Sequence, residues 1–229
     1  MTHNFSHGQF AGKSVRFTLD ILQQPIRSRL CGFGEKDRRP IDPPPVLQVR
    51  AFETLESGTE VEIPDQDITP QHLLVQVKIF DSEGLRSCAY VFNSSTATQV
   101  ANTHHQNTSS ETPIRNLLGS LTAEGMRLRD TNNNPGIFFC FQDLSVRVEG
   151  VFRLQFSLVD IAALIVGHKN RTIVAQTMSN EFHVYSPKKF PGMTSSTALS
   201  KCFAAQGIKI SIRKDEPNPA FGGRASSST

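Results

Sequence analysis

The chain has 229 residues, 24 of them Lys or Arg against 21 Asp or Glu, for a formal charge of +3. With 38% hydrophobic content it can bury the core of one sandwich-type domain, and so small a charge requires any basic surface to be local. The opening MTHNFSHGQF lacks the pattern of a signal peptide, and no stretch approaches the roughly 20 apolar residues that cross a bilayer. The sequence therefore predicts an intracellular protein that does not associate with membranes.

Three polar segments indicate the domain boundaries. Residues 1–12 and the Pro, Gly and Ser-rich residues 216–229 predict disordered ends, leaving one domain at residues 13–215. Within that domain, residues 85–113 have little hydrophobic periodicity, so we interpret them as a long polar loop.

Apolar residues recur at every second position in several runs, which is typical of strands with one buried face. Gly150 separates two such runs and predicts a bend or tight turn between them. The alternating positions are Val15, Phe17, Leu19 and Ile21; Leu47, Val49 and Ala51; Val75, Val77 and Ile79; Leu144, Val146 and Val148; Phe152, Leu154, Phe156 and Leu158; Phe182 and Val184; and Ile208, Ile210 and Ile212.

Strands of this kind need a second sheet to cover their apolar faces, and no regularly alternating helices suggest a parallel fold. The sequence thus predicts an all-β, two-sheet sandwich with one or two short helices. The clearer helix has an apolar stripe at residues 198–203, a cap within residues 194–196 and a terminating Gly207. A shorter helix is predicted at residues 114–121.

Four stretches, in order, carry a family resemblance. They are EKDRRPIDPPPVLQV at residues 35–49, NLLGSL at 116–121, FFCFQDLSVRVEGVFRLQFSLVD at 138–160 and SPKKFPGMTSSTALSKCFAAQGIKISIRK at 186–214. Together they resemble the velvet family over residues 19–214, apart from the polar loop.

The resemblance implies a fungal regulator that couples development and sporulation to secondary metabolism. It implies an immunoglobulin-like sandwich resembling the Rel homology domain of the Rel/NF-κB proteins, homodimers or heterodimers with other velvet proteins, and shuttling between cytoplasm and nucleus. Fold alone does not establish function, so the functional residues need their own argument.

The most basic segment is PIRSRLCGFGEKDRRPIDPPP at residues 25–45, which we call the basic segment. Its residues 27–39 contain five cations and two acids, a local charge of 5 − 2 = +3. The cations are Arg27, Arg29, Lys36, Arg38 and Arg39. Two glycines and a proline run make a basic loop held between strands, which can follow a phosphate backbone and send an Arg to a guanine edge.

The alternative is a solvated loop whose charges pair with one another. The resemblance favours DNA contact, because velvet proteins of the DNA-binding type touch DNA with the basic loop before this proline run. Four further cations offer additional phosphate contacts or a nuclear-import signal, unless they are ordinary solvated surface. These are Lys188, Lys189, Arg213 and Lys214.

Catalysis has little support in the sequence. His104-His105 has no acidic or thiol partner at ligand spacing, and no nucleophile elbow, P-loop or dinucleotide fingerprint is present. The four cysteines form no C-x-x-C pair, which favours buried or unreactive thiols over a zinc site or disulfide framework. We expect no enzyme activity, metal, cofactor or small-molecule substrate.

Three functional hypotheses follow. The first is a velvet dimer that binds duplex DNA sequence-specifically, and the second is a velvet partner-binding scaffold in which the polar loop and the following Ile114 and Leu117-Leu118 complete an interface. The third, an extracellular immunoglobulin-like adhesion domain, depends on four N-x-S/T sequons and conflicts with the predicted intracellular location.

Overall fold

The computed structural model describes residues 2–33, 38–92, 113–162 and 172–213. The described residues are mostly strands, and they include one α-helix, α1 (Ala198–Ala205), and short 3-10 helices at Gly8–Phe10, Asp65–Asp67 and Pro70–His72. The strands are β1 (Thr2–Asn4), β2 (Ser14–Gln23), β3 (Arg27–Arg29), β4 (Val46–Thr54), β5 (Glu60–Ile63), β6 (Leu73–Asp81), β7 (Tyr90–Val91), β8 (Ile114–Arg115), β9 (Leu117–Leu118), β10 (Thr122–Glu124), β11 (Met126–Arg129), β12 (Pro135–Cys140), β13 (Ser145–Val146), β14 (Gly150–Asp160), β15 (Thr172–Met178) and β16 (Phe182–Tyr185).

Two six-stranded sheets carry the fold. The first sheet has the order β1-β2-β4-β12-β11, with β5 also paired to β4, and the second sheet has the order β10-β6-β14-β16-β3, with β15 also paired to β14. All these pairs are antiparallel except β3 and β16, which run parallel at the edge of the second sheet.

The main core lies between the two sheets, and the predicted alternation supplies it. In β2, β4, β6, β14 and β16 the apolar residues named above point inward, while their neighbours face outward. Inward side chains of both sheets form one continuous cluster, which confirms the all-β sandwich. The two runs separated by Gly150 fall in two strands as predicted, because β13 ends at Val146 and β14 begins at Gly150.

A second, smaller cluster covers the outer face of the first sheet, where α1 packs. The Phe203 ring of α1 makes an edge contact with Phe138 of β12, with centroids 5.0 Å apart, and both rings are fully buried. The predicted helix is therefore confirmed. Its cap is Thr197 rather than a residue in 194–196, because the Thr197 hydroxyl accepts the Ser200 N–H at 3.0 Å.

The helix predicted at residues 114–121 is wrong. Ile114–Arg115 pairs with β7 and Leu117–Leu118 pairs with β13. Between them the buried Asn116 donates its N–H to Ala89 O at 2.9 Å. Backbone hydrogen bonds to neighbouring segments thus replace those of a local helix turn.

The alternation of Ile208, Ile210 and Ile212 also misled, because residues 208–213 pair with no strand in the described parts of the chain. Ile208 and Ile210 instead pack against the α1 cluster, and Ile212 is 44% exposed. The alternating apolar residues here belong to an irregular segment, two of whose isoleucines pack beside α1.

The N-terminal residues differ from the expected disordered end. Strand β1 pairs with β2, and the Phe10 ring is 2% exposed in the main core. Part of the predicted polar loop is also structured, since Tyr90–Val91 forms β7. The rest of it, residues 93–112 with His104 and His105, and the tail at 216–229 lie outside the described residues. Within the described part, no helix is long and apolar enough to cross a membrane.

Candidate nucleic-acid interface

Strand β3 displays the first two predicted cations on one side. Ser28 is fully buried, so the half-buried Arg27 and Arg29 project from the opposite, outer face of the second sheet. The parallel register places Arg27 beside His183 and Arg29 beside Tyr185 of β16.

The chain leaving β3 is fixed by backbone hydrogen bonds before it reaches the loop. Leu30 N–H donates to Tyr185 O at 2.9 Å, Cys31 N–H to Val146 O at 2.9 Å and Gly32 N–H to Arg147 O at 3.1 Å. Lys36 falls within residues 34–37, outside the described residues.

After the loop, the chain comes back alongside β3. Arg38 and Arg39 are exposed, after which the buried Ile41 donates its N–H to Leu144 O at 2.7 Å. Asp42 forms an antiparallel bridge with Arg27. The basic segment therefore extends beyond the Arg29 end of β3 and is anchored on both sides.

The lysine pair lies at the same end of the sandwich. Because β3 and β16 are parallel, the chain leaves both strands in the same direction. A turn follows β16, with Lys189 N–H donating to Ser186 O at 3.1 Å, and Lys188 and Lys189 are exposed. The fold thus brings together Arg29, Arg38, Arg39 and this lysine pair.

Arg213 has a different position from the other predicted cations. Its guanidinium donates to the carboxylate of Asp42, which is fully buried, and its Nε donates to Thr194 O at 2.8 Å. These contacts give it a role inside the fold. Lys214 lies outside the described residues.

Arg147 is a site residue that the sequence analysis did not single out. Its Nη1 donates to Gly32 O and its Nε to Arg115 O, each at 2.8 Å, and its guanidinium lies 5.9 Å from the centre of the Phe33 ring. Arg147 therefore fixes the start of the basic loop. The sequence contains no local signal of these contacts, because Gly32 lies 115 positions away.

Two arginines of the first sheet are paired with glutamates. Arg16 pairs with Glu60 and Arg50 with Glu62, each at 2.6 Å. The arginine hydrogen bonds lower the pKa of both glutamates. Arg38, by contrast, has no acidic partner within the described residues, so its charge is available to an external anion.

Neither a metal centre nor an activated thiol emerges from the described residues. No three His, Cys, Asp or Glu side chains there gather as metal ligands. The four cysteines are free thiols, and burial raises the pKa of Cys140 to about 12, which disfavours the nucleophilic thiolate.

Comparison with known proteins identifies the family. The family described as Velvet factor matches residues 17–216. A velvet complex subunit of Aspergillus flavus is 32% identical, over 87% of this chain and 78% of that protein. A velvet complex subunit of Gibberella moniliformis is 34% identical over 89% of this chain and 62% of that protein. The Sexual development regulator velC of the same fungus is 40% identical over 87% of this chain and 39% of that protein. The chain belongs to the velvet family.

Proposed function

We propose that this protein is a sequence-specific, duplex-DNA-binding regulator of fungal development. The observation that carries the proposal is the gathering of exposed cations at one end of the sandwich, where the loop after β3 and the turn after β16 emerge together. The DNA-contacting residues are Arg27, Arg29, Lys36, Arg38 and Arg39, with additional phosphate contacts from Lys188 and Lys189.

The chemistry of these residues fits a nucleic-acid partner. Lysine ammonium groups neutralise phosphates as point charges, whereas an arginine fork can also bind the O6 and N7 edge of guanine. A basic loop that is fixed at both ends can place an arginine in a groove while neighbouring cations contact the phosphate backbone. Binding of this type releases counterions, so affinity must fall steeply with salt.

The biological setting is proposed from the relatives. Their names describe velvet complex subunits and a regulator of sexual development, which supports a role in development and assembly with other velvet proteins. The family resemblance adds to this proposal a role in sporulation and secondary metabolism, through velvet homodimers or heterodimers. A regulator that acts on promoters and also assembles with partners is expected to shuttle between cytoplasm and nucleus.

Fluorescence anisotropy over a salt series tests the DNA contact. The purified protein is titrated against pools of fungal promoter duplexes, beside variants Arg38→Ala and Lys78→Ala. Both side chains are exposed and have no acidic partner among the described residues, but Lys78 lies on β6, at a distance from the loop. We expect Arg38→Ala to lower the salt slope by about 0.9 per lost phosphate contact and Lys78→Ala to leave it unchanged.

The same titration sets the limits of the proposal. Equal slopes and affinities for the two variants and the parent chain would remove Arg38 from the proposed DNA contact; the same result with all five cations of the basic segment replaced by Ala would remove the basic loop. No binding by the parent chain, either alone or with a velvet partner, would remove the DNA-binding function itself.

The second candidate is a partner-binding scaffold with little DNA affinity of its own. It is favoured by large apolar side chains that are exposed in the segment after β6, where Leu85 is 79%, Tyr90 59% and Phe92 56% exposed. Co-expression with a velvet partner separates the candidates. A scaffold whose basic loop is mutated would leave the DNA binding of the complex intact.

A further inference from the structure

The outer surface formed by β3 and β16 is continuous with the basic loop. His183 is exposed and lies beside Arg27, while the half-buried Tyr185 lies beside Arg29. The intervening Ser28 and Val184 are buried. Four polar or aromatic side chains therefore share one side of this sheet edge.

Two acids near this surface are engaged, whereas the exposed Glu149 lies just before Gly150, the residue that pairs with Val184. The Asp42 backbone bridges Arg27, but its carboxylate turns inward to Arg213 and to the Thr194 hydroxyl at 2.7 Å. Glu181, just before β16, pairs with Arg153 at 3.1 Å. Within the described residues Arg27 has no acidic partner, so its positive charge stays available beside His183.

Tyr185 connects this surface to the lysine turn. Its ring stacks on His183 with centroids 5.8 Å apart and an interplanar angle of 27°, and it contacts Phe190 after the turn at 6.3 Å. The Tyr185 carbonyl also accepts the Leu30 N–H. Tyr185 thus contacts His183 on the outer face, Phe190 after the lysine turn and Leu30 at the start of the basic loop.

We propose that the outer face of β3 and β16 is a second DNA-contacting surface, on which His183 and Tyr185 beside Arg27 hold the phosphate backbone that flanks the segment engaged by the basic loop. The inference rests on the proposed DNA-binding function. It adds residues of β16 that neither the basic segment nor the lysine pair contains. An exposed edge carrying Arg, His and Tyr suits phosphate contact, because each supplies a donor and none presents a carboxylate.

A charge introduced at His183 tests this surface. His183→Glu places a carboxylate beside Arg27, whereas the control Gln76→Glu adds the same charge at an exposed outward position of β6. The control lies two strands and six register positions away, roughly 20 Å, which exceeds two Debye lengths at physiological salt. At physiological salt we expect His183→Glu to weaken duplex binding roughly tenfold and Gln76→Glu to change it less than twofold.

Each outcome has a definite meaning. If the parent chain binds duplex and Arg38→Ala weakens binding while His183→Glu does not, the second surface is refuted and the proposed function stands. Absence of binding by the parent chain, with or without a velvet partner, refutes both. Circular dichroism and thermal unfolding of both glutamate variants confirm that a loss of binding is not a loss of fold.

Discussion

Asp42 shows how one buried acid organises the base of the basic loop. Its backbone carbonyl accepts the N–H groups of Ile26 and Arg27, at 3.1 and 2.9 Å. Its carboxylate accepts hydrogen bonds from the backbone N–H and hydroxyl of Thr194 and from Arg213. A fully buried carboxylate is tolerated only when its hydrogen bonds are satisfied in this way.

Replacing Arg213 with Ala is therefore expected to destabilise the fold. The variant leaves Asp42 buried without its cationic partner, which should lower the free energy of unfolding by about 2–4 kcal/mol. Urea denaturation measures the difference, with the exposed Lys209→Ala as the matched control. An unchanged midpoint for Arg213→Ala would show that water replaces the guanidinium without loss.

This ion pair also marks what sequence reasoning could not reach. Asp42 and Arg213 are 171 positions apart, and neither residue carries a local pattern that indicates its partner. The basic residues 27–39, by contrast, were evident from composition within one short segment. Their assignment to DNA contact stays a prediction until binding is measured.

At the scale of elements, the parallel register of β3 with β16 determines where the basic loop leaves the second sheet. Arg147 fixes the first residues of that loop. The guanidinium spans two carbonyl oxygens, on Gly32 and Arg115. Only a planar group with several donors can hold both acceptors in this geometry, so Lys is not an equivalent replacement.

The variant Arg147→Ala tests this positioning role. We expect duplex affinity to fall roughly tenfold, because an unfixed loop must be ordered during binding. The salt slope should stay unchanged, because the loop cations themselves remain. Arg147→Lys should resemble Ala. A slope reduced by about 0.9 in Arg147→Ala but restored in Arg147→Lys would instead assign Arg147 a phosphate contact of its own.

Strands could be predicted from the sequence where burial of one face produces an alternation of apolar and polar residues. Strands β2, β4, β6, β14 and β16 have one face in the core, and their alternation follows directly. Residues 114–121 and 208–212 were misassigned because short apolar spacings fit several conformations, and distant partners decide among them. Residues 114–118 form β8 and β9 instead of a helix because they pair with β7 and β13, which lie elsewhere in the sequence.

At the scale of the whole molecule, the N-terminal residues complete the sandwich. Phe5 and Phe10 form an aromatic cluster with Phe17 of β2, with centroid distances of 5.3 to 6.0 Å. Gly8 has φ of +77°, and a Cβ there would lie 2.4 Å from the Ala162 Cβ, after β14 of the opposite sheet. This close approach requires glycine and joins the N-terminus to both layers.

Removing residues 1–12 should consequently destabilise the entire sandwich, although the family match begins only at residue 17. Loss of β1 exposes the edge of β2, and loss of Phe10 opens a cavity in the main core. Phe10→Ala alone should lower the free energy of unfolding by about 3–5 kcal/mol, whereas Leu55→Ala, at a side chain 44% exposed, should have little effect. Urea denaturation of the shortened chain and both variants measures these differences.

Coincident midpoints for the two chain lengths would show that the sandwich forms without its first strand. A lower midpoint for the shortened chain would place the domain boundary before β1, because the core and the first strand then unfold together.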